Sequence, residues 1–450
     1  MKPWRTWLIA PVLALSTPLT AGPAAAQTVP PIGYEIFTLD NGLRFIVHED
    51  HSTPVVAVNV YYDVGSANER PGRSGFAHLF EHMLFQETEN LEKGAFMSMI
   101  PAAGGEFNGT TDTDRTMYYE VLPSNRLNLA LWMEAERMAR LLVTAENFQR
   151  EREVVKEERR MRIENQPYGN SFLTVDTLAM DYEPYDHTVI GSMDDLNAAT
   201  AEDVRAFYEE YYNPNNATIV IAGDATVEQV RALAEQYFGD IARGPEVAPL
   251  PEPTPTPRTD GERRVTLVDD LANLPLLFSA YNIPPHSAED TYALELLSRI
   301  FSQGESSRLY RRLVDEEEAA LQVFSFLNSR YGPGTMIFGA LPNQGVSVDV
   351  LEQLIQEEID ELRAEGVTER ELQKAKNQLR AGQIQSRLTV MSKSVALQHA
   401  RFMHGDVANV NQDIDRYMAV TAQDILDVAR RYLAPENRTV VVTVPPQTTT

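Results

Sequence analysis

Two homologous domains of α+β type are what this chain of 450 residues predicts, on three observations. Strand-like and helix-like stretches alternate throughout, and a Pro-rich passage from Pro245 to Arg264 divides them near the middle. A pattern in the first half also returns in the second. Thr200-Ala201-Glu202-Asp203 opens a helix that ends near Pro214 and leads into the strand Ala217 to Ala222; Thr421-Ala422-Gln423-Asp424 opens a similar helix that ends near Pro435 and leads into Thr439 to Val444. Both Thr-to-Pro spacings are 14, the mark of a duplicated unit.

Taken in order, the first 26 residues stand outside the fold. Lys2 and Arg5 precede an apolar run from Trp7 to about Leu19, and Ala24-Ala25-Ala26 ends it with small residues before Gln27. This reads as a cleavable secretory signal, cut after Ala26. Pro11 and Pro18 break the run, which is too short for a stable membrane anchor, so a periplasmic destination is expected. The expected divisions are then a first domain over 27–244, a linker over 245–264 stiffened by its prolines, and a second domain over 265–450.

In the first domain, Tyr34 to Leu39 and Leu43 to His48 flank Asp40-Asn41-Gly42, a hairpin signal, and Val55 to Val64 continues the sheet. Helices are expected over Arg126 to Leu142 and Gln149 to Arg162. In the second, Thr291 to Ser302 and Val348 to Glu365 carry helical apolar spacing, and Thr368 to Arg387 begins with the capping pattern Thr368-Glu369-Arg370-Glu371.

Composition excludes several chemistries. With no cysteine, the chain has no disulfide framework, no thiol nucleophile and no thiolate metal site. A metal must be held by nitrogen and oxygen. The formal net charge of −26, or −28 without Lys2 and Arg5, makes nucleic acid a poor partner. It favours solubility, and would attract basic peptides if part of it lined a cleft.

The most informative segment is Gly75-Phe76-Ala77-His78-Leu79-Phe80-Glu81-His82-Met83-Leu84. On a helix, His78 and His82 share one face at i and i+4. Two neutral imidazoles so placed can grip a zinc ion and leave sites for a third ligand and a water, from which Glu81 can take a proton. The order His-x-x-Glu-His is that of the inverzincin peptidases. A coincidental pair of partly buried histidines is the plainer alternative. Ser74-Gly75 offers an N-cap, and Phe76, Leu79, Phe80, Met83 and Leu84 supply an apolar face that would hold the helix still. Downstream, the acidic helix Glu146 to Arg162 presents Glu151 and Glu158 seven residues apart on one face. Such a Glu/Arg-rich helix can equally be a solvated surface.

Taken together these motifs resemble the M16, or pitrilysin, family of zinc peptidases, which includes insulin-degrading enzyme and the mitochondrial processing peptidase. The resemblance covers nearly all of the chain after the signal. It implies two α+β domains, each a mainly antiparallel sheet with helices packed on one face. It also implies one Zn2+ per chain, held by His78, His82 and Glu158, the last lying 76 positions after His82. Glu81 would be the general base and Glu151 a supporting residue, whereas Glu157 points about 100° away from Glu158 on the helix. Gly104-Gly105-Glu106-Phe107-Asn108-Gly109-Thr110-Thr111 resembles the family's substrate-pairing edge strand, with Phe107 and Asn108 meeting the substrate. By composition alone Asn108 is as well read as a turn residue. Tyr185-Asp186-His187-Thr188-Val189-Ile190-Gly191 resembles a connecting segment of the family, in which His187 is structural.

The second domain should lack the chemistry, since no histidine lies between His286 and His399. In self-sufficient relatives, the segment corresponding to Ser307-Arg308-Leu309 and beyond supplies an arginine and a tyrosine to the site. Here those positions fall on Val314 and Leu321. The resemblance therefore implies a zinc endopeptidase acting on peptides or unfolded segments in an enclosed chamber, paired with a homologous subunit that lacks the zinc motif. A homodimer using Arg308 or Tyr310 is the runner-up. The alternative of another class is a non-catalytic peptide-binding or assembly subunit.

Overall fold

The structure, a computed structural model, describes residues 28–446 apart from 254; the signal-like segment lies outside the described residues. The first half builds a six-stranded sheet from β1 (Glu35–Thr38), β2 (Arg44–Glu49), β3 (Val55–Tyr62), β4 (Glu106–Thr111), β5 (Thr116–Pro123) and β6 (Ala217–Gly223), in the order β1-β2-β6-β3-β5-β4. The second builds a five-stranded sheet from β7 (Arg263–Val268), β8 (Leu276–Ile283), β9 (Ala320–Asn328), β10 (Gly334–Pro342) and β11 (Arg438–Val444), in the order β7-β11-β8-β10-β9. Each sheet has one parallel pair, β2 with β6 and β7 with β11, and is otherwise antiparallel.

Removing β1 makes the two orders equivalent, with β4 and β9 as matching edges. The duplicated segment repeats down to its hydrogen bonds. Thr200 and Asp203 form a capping box, as do Thr421 and Asp424, at the start of two helices of equal length. Each helix runs into a short turn whose asparagine reaches back to the last tyrosine carbonyl: Asn216 to Tyr211 at 2.9 Å, and Asn437 to Tyr432 at 2.7 Å.

The helices of the first half are α1 (Phe76–Met83), α2 (Ala95–Ala102), α3 (Leu127–Arg140), α4 (Ala145–Arg159), α5 (Gly169–Ala179), α6 (Met193–Ala198), α7 (Ala201–Tyr211) and α8 (Val227–Phe238). Those of the second half are α9 (Asp290–Ser302), α10 (Val348–Glu365), α11 (Glu369–Gln385), α12 (Val390–His404), α13 (Asn409–Ala419) and α14 (Ala422–Tyr432). The helix expected over Gln149 to Arg162 starts earlier, because the Thr144 hydroxyl accepts from the Asn147 N–H. It then loosens into a π-helical turn over Arg160–Glu164.

The main helix layer of each half covers one face of its own sheet. Opposite it the halves exchange helices. From the first half, α5 lays Val175 and Ala179 on Leu276, Phe278 and Val441 of the second sheet. From the second half, α12 sets Val390, Leu397 and Ala400 on Ile46, Ala57, Val220 and Ala222 of the first. Val175 and Leu397 are fully buried, each stabilising the union by roughly 1.5–3 kcal/mol. Polar ties follow the same seam: Arg401 pairs bidentately with Asp63 at 2.6 Å, and Lys393 with Asp50. The Pro-rich passage is strapped to both halves. Asn215 holds the Pro245 carbonyl at 2.9 Å, Tyr182 holds that of Pro251 at 2.7 Å, and Asn437 accepts from the Arg258 N–H at 3.0 Å. Its last two residues already belong to β7.

Candidate active site

The segment around His78 folds as α1, with Phe76, Ala77, Leu79, Phe80 and Met83 buried in the first core and the histidines turned toward α4. There Glu158 meets both. Its Oε2 lies 3.2 Å from His82 Nε2 and 3.7 Å from His78 Nε2. One ligand atom from each of the three residues falls within 4.8 Å of the others, the one such group among the described residues. Ligands at 2.0–2.1 Å around a tetrahedral ion stand about 3.4 Å apart, close to the two distances from Glu158 to the histidines, so these residues could hold a zinc ion.

The charge states differ around the set: burial opposes a charge on His82, but its hydrogen bond to Glu158 outweighs this and raises its pKa, favouring a proton that a bound metal ion would have to displace. Burial and the neighbouring His82 push His78 down to about 4, so it is a neutral imidazole with a lone pair to give. The hydrogen bond to His82 holds Glu158 below its ordinary range, hence ionised. Arg162 adds a bond at 2.8 Å to Glu158 Oε1, leaving Oε2 for the histidines. Glu157, by contrast, is exposed and pairs with Arg160. Glu151 is buried behind His82, with Oε2 3.9 Å from His82 Nδ1, an electrostatic contact longer than a hydrogen bond. Arg150 steadies its other oxygen at 3.1 Å.

Glu81 sits between α1 and the edge strand β4. Burial raises its carboxyl above the ordinary range, and the Thr111 hydroxyl donates to its Oε2 at 2.7 Å. The two elements approach this closely because residue 109 is glycine: a Cβ there would stand 3.1 Å from Glu81 Cγ and 3.0 Å from the Phe85 ring. Asn108 turns outward on the wall of a cavity of about 800 Å3, with its Oδ1 accepting from the Gly109 N–H at 2.9 Å. Phe107 does not line that cavity. It faces the core and packs on Phe85 at 5.6 Å between ring centroids, as strand alternation requires when Asn108 faces out. Of the two residues expected to meet substrate, only Asn108 is on the wall.

The same cavity is lined by α5, through Phe172 and Asp176, and by Asn328 and Arg330 of the second half. Val314 lies on a π-helical turn packed against the second core, and Leu321 is 62% exposed on the edge strand β9. Arg308 is buried and committed to Glu371 at 2.7 Å and to the Gly366 carbonyl at 3.0 Å.

Ser74 does not cap α1. Its hydroxyl turns to Asp195, Gly75 takes the cap position with φ 90°, and the helix is capped by a carboxylate from outside, that of Glu69. Glu69, Thr111 and Arg162 carried no motif in the sequence; Thr111 lay inside a recognised strand, and its alternation with Gly109 was the one available signal.

Among the described residues, no helix is long and apolar enough to cross a membrane. Residues 44–183 match the family model described as insulinase (peptidase family M16), and residues 198–379 match the peptidase M16 inactive domain. The chain is 32% identical over 414 residues to the zinc protease PqqE of Helicobacter pylori, covering 92% of this chain and 93% of that protein. The crystal structure of a protease from Helicobacter pylori superposes with a TM-score of 0.87 at 30% identity, over 92% of this chain and all of that one. The periplasmic protease PqqL from Escherichia coli shares the fold with a TM-score of 0.77 at 18% identity; this chain spans 48% of its length.

Proposed function

Since this chain belongs to the M16 peptidase family, in its half-length form, we propose that it is a zinc-dependent endopeptidase in which His78, His82 and Glu158 hold one metal ion and Glu81 is the general base. The observation that carries this reading is the convergence of His78 and His82 on Glu158 Oε2, at 3.7 and 3.2 Å from their Nε2 atoms, beside a buried Glu81. When bound, zinc supplies a Lewis-acid charge that polarises a carbonyl and acidifies water.

The chain's own residues do the rest. Thr111 occupies Glu81 Oε2, so Oε1 is the oxygen free to take a proton from the attacking water and return it to the departing amine. The raised pKa makes Glu81 a stronger base, nearer the operating pH. Edge strand β4 has unpaired backbone groups on its open side, which suits capture of an extended peptide by strand addition, with Asn108 holding a carbonyl. Glu151 keeps His82 in orientation.

Substrates are peptides or unfolded segments enclosed in a chamber between two chains. The partner is a homologous subunit without the zinc motif that contributes an arginine and a tyrosine. The burial of Arg308 against Glu371 supports this over a homodimer in which Arg308 substitutes. The site of action is the periplasm, reached by a signal cleaved after Ala26. Support for the alternative, a non-catalytic peptide-binding or assembly subunit, comes only from the inactive-domain match over residues 198–379. The test is zinc content and cleavage of an unstructured peptide library by the chain, alone and with a co-purifying homologue. Zinc with activity only in the pair is expected; inert, zinc-free protein in both states overturns the reading.

A further inference from the structure

Helix α1 begins without help from its own sequence. Gly75 holds the cap position in the left-handed region and has no side chain to offer the first N–H groups. Those groups are taken by Glu69, six residues earlier, whose Oε2 accepts from the Gly75 N–H at 2.9 Å and Oε1 from the Ala77 N–H at 2.7 Å. The Glu69 side chain is wholly enclosed. A lone carboxylate there would be expensive in the absence of a cation.

The cation comes from the segment around His187. Its Nε2 lies 2.9 Å from the Ser66 carbonyl and 3.1 Å from Glu69 Oε2, and its Nδ1 lies 3.1 Å from Asp186 Oδ1. Both ring nitrogens therefore face only acceptors. A neutral imidazole, with one nitrogen an acceptor, would set lone pair against lone pair, whereas an imidazolium satisfies every contact. Backbone packing locks this segment over the helix start. A Cβ on Gly191 (φ 74°) would stand 2.3 Å from the Ser74 carbonyl, and one on Gly75 would stand 2.8 Å from that of Ile190. Arg159, next to Glu158, donates to the Gly191 carbonyl at 2.7 Å, so the same loop touches both helices of the site.

We infer that His187, held as an imidazolium between Glu69, Asp186 and the Ser66 carbonyl, is a positioning residue: it keeps the Glu69 carboxylate ionised and seated on the first N–H groups of α1, and so fixes the helix that presents His78, Glu81 and His82. The inference rests on the reading of α1 as the metal-binding helix. Loss of the imidazolium leaves Glu69 a buried anion that takes up a proton. A protonated carboxyl has an O–H where it needs an acceptor, and one of the two helix N–H groups loses its partner.

The experiment uses the full chain, first stripped of metal. Nitrogen-resolved NMR of the histidine rings at pH 7.5 should show one imidazole with both nitrogens protonated, absent in H187Q; a neutral ring at that position overturns the inference. Hydrogen exchange on metal-free H187Q should be at least tenfold faster in the peptide spanning 74–84, with the peptides of β8 and α9 unchanged. Unchanged exchange in 74–84, or an equal rise in both halves, overturns it. Because H187Q leaves Glu69 unpaired, a cost to folding in itself, the double variant E69Q/H187Q is measured alongside and should show the same local loss. In chelator competition, H187Q should bind zinc about tenfold more weakly than the unaltered chain. If the unaltered chain binds no zinc at all, the functional reading fails, while the metal-free exchange and NMR results still decide the role of His187.

Discussion

The two halves build the same sheet and put different chemistry on the same joint. In the first, the edge strand β4 meets α1 through a carboxylate, Glu81, held by Thr111 at 2.7 Å. In the second, the edge strand β9 meets α9 through hydroxyls alone: Ser325 lies 2.7 Å from Ser302 and 3.1 Å from Ser298. Their anchors differ as well. A histidine–glutamate pair secures the start of α1, whereas the second half relies on Arg308 locked to Glu371. A duplicated scaffold can thus carry a carboxylate at one joint and hydroxyls at the other, provided each polar group there has a partner.

The comparison is broken most severely by removing the reacting groups. Glu81→Gln should lower kcat by at least about a hundredfold while zinc content stays at one per chain; Ser302→Ala, on the helix side of the second joint, should leave kcat within about twofold. Peptide-cleavage kinetics with metal analysis on both proteins checks the pair. Next, Arg308→Ala should cost about 3–5 kcal/mol by leaving Glu371 without its cation, seen as a lower urea midpoint, yet spare zinc affinity. A loss of zinc in this variant would show the halves to be less independent than their chemistry implies. Gly109→Ala should cost about 1–3 kcal/mol of stability or activity, since its new methyl group presses on Glu81 and Phe85.

The smallest effect is a pair of opposite pH responses. Burial would lower the His187 pKa, but its contact with Glu69 outweighs that and raises it from 6.5 to about 9. Its contribution is therefore complete below about pH 6.5 and lost as pH rises through about 9. Glu371 goes the other way: burial would raise it, and Arg308 brings it from 4.5 down to about 2, so its contribution is present above 4.5 and lost as pH falls through about 2. Hydrogen exchange against pH should loosen residues 74–84 first on the alkaline side and residues 366–372 first on the acid side. The reverse order would refute the assignment of the two anchors.

Much of this was legible because it was local. The i, i+4 histidines, the Asp40-Asn41-Gly42 turn with Gly42 at φ 95°, and the Thr368 and Glu371 capping box each depend on residues within one turn or two. The 14-residue echo foretold the duplication for the same reason. What stayed hidden depends on distant partners. Ser74 looks like a cap until Asp195 claims it, and nothing near Glu69 says that it will reach Gly75 and Ala77. Phe107 and Asn108 could not be told apart without knowing which side of β4 meets α1. The exchange of α5 and α12 was likewise invisible, because an apolar helix face does not say which sheet will cover it.

That exchange has a mechanical consequence. Each half lends the other a helix, so parting them inside one chain would bare Val175 and Ala179 on one side and Leu397 and Ala400 on the other. The chain should behave as a single stiff shell rather than a pair of hinged plates. Severed within the Pro-rich passage, its two pieces should rejoin when expressed together and aggregate when expressed apart. In the two-chain chamber proposed above, the opening that admits a polypeptide would then lie between this shell and its partner, and substrate entry would be set by how tightly the two molecules hold their rims together.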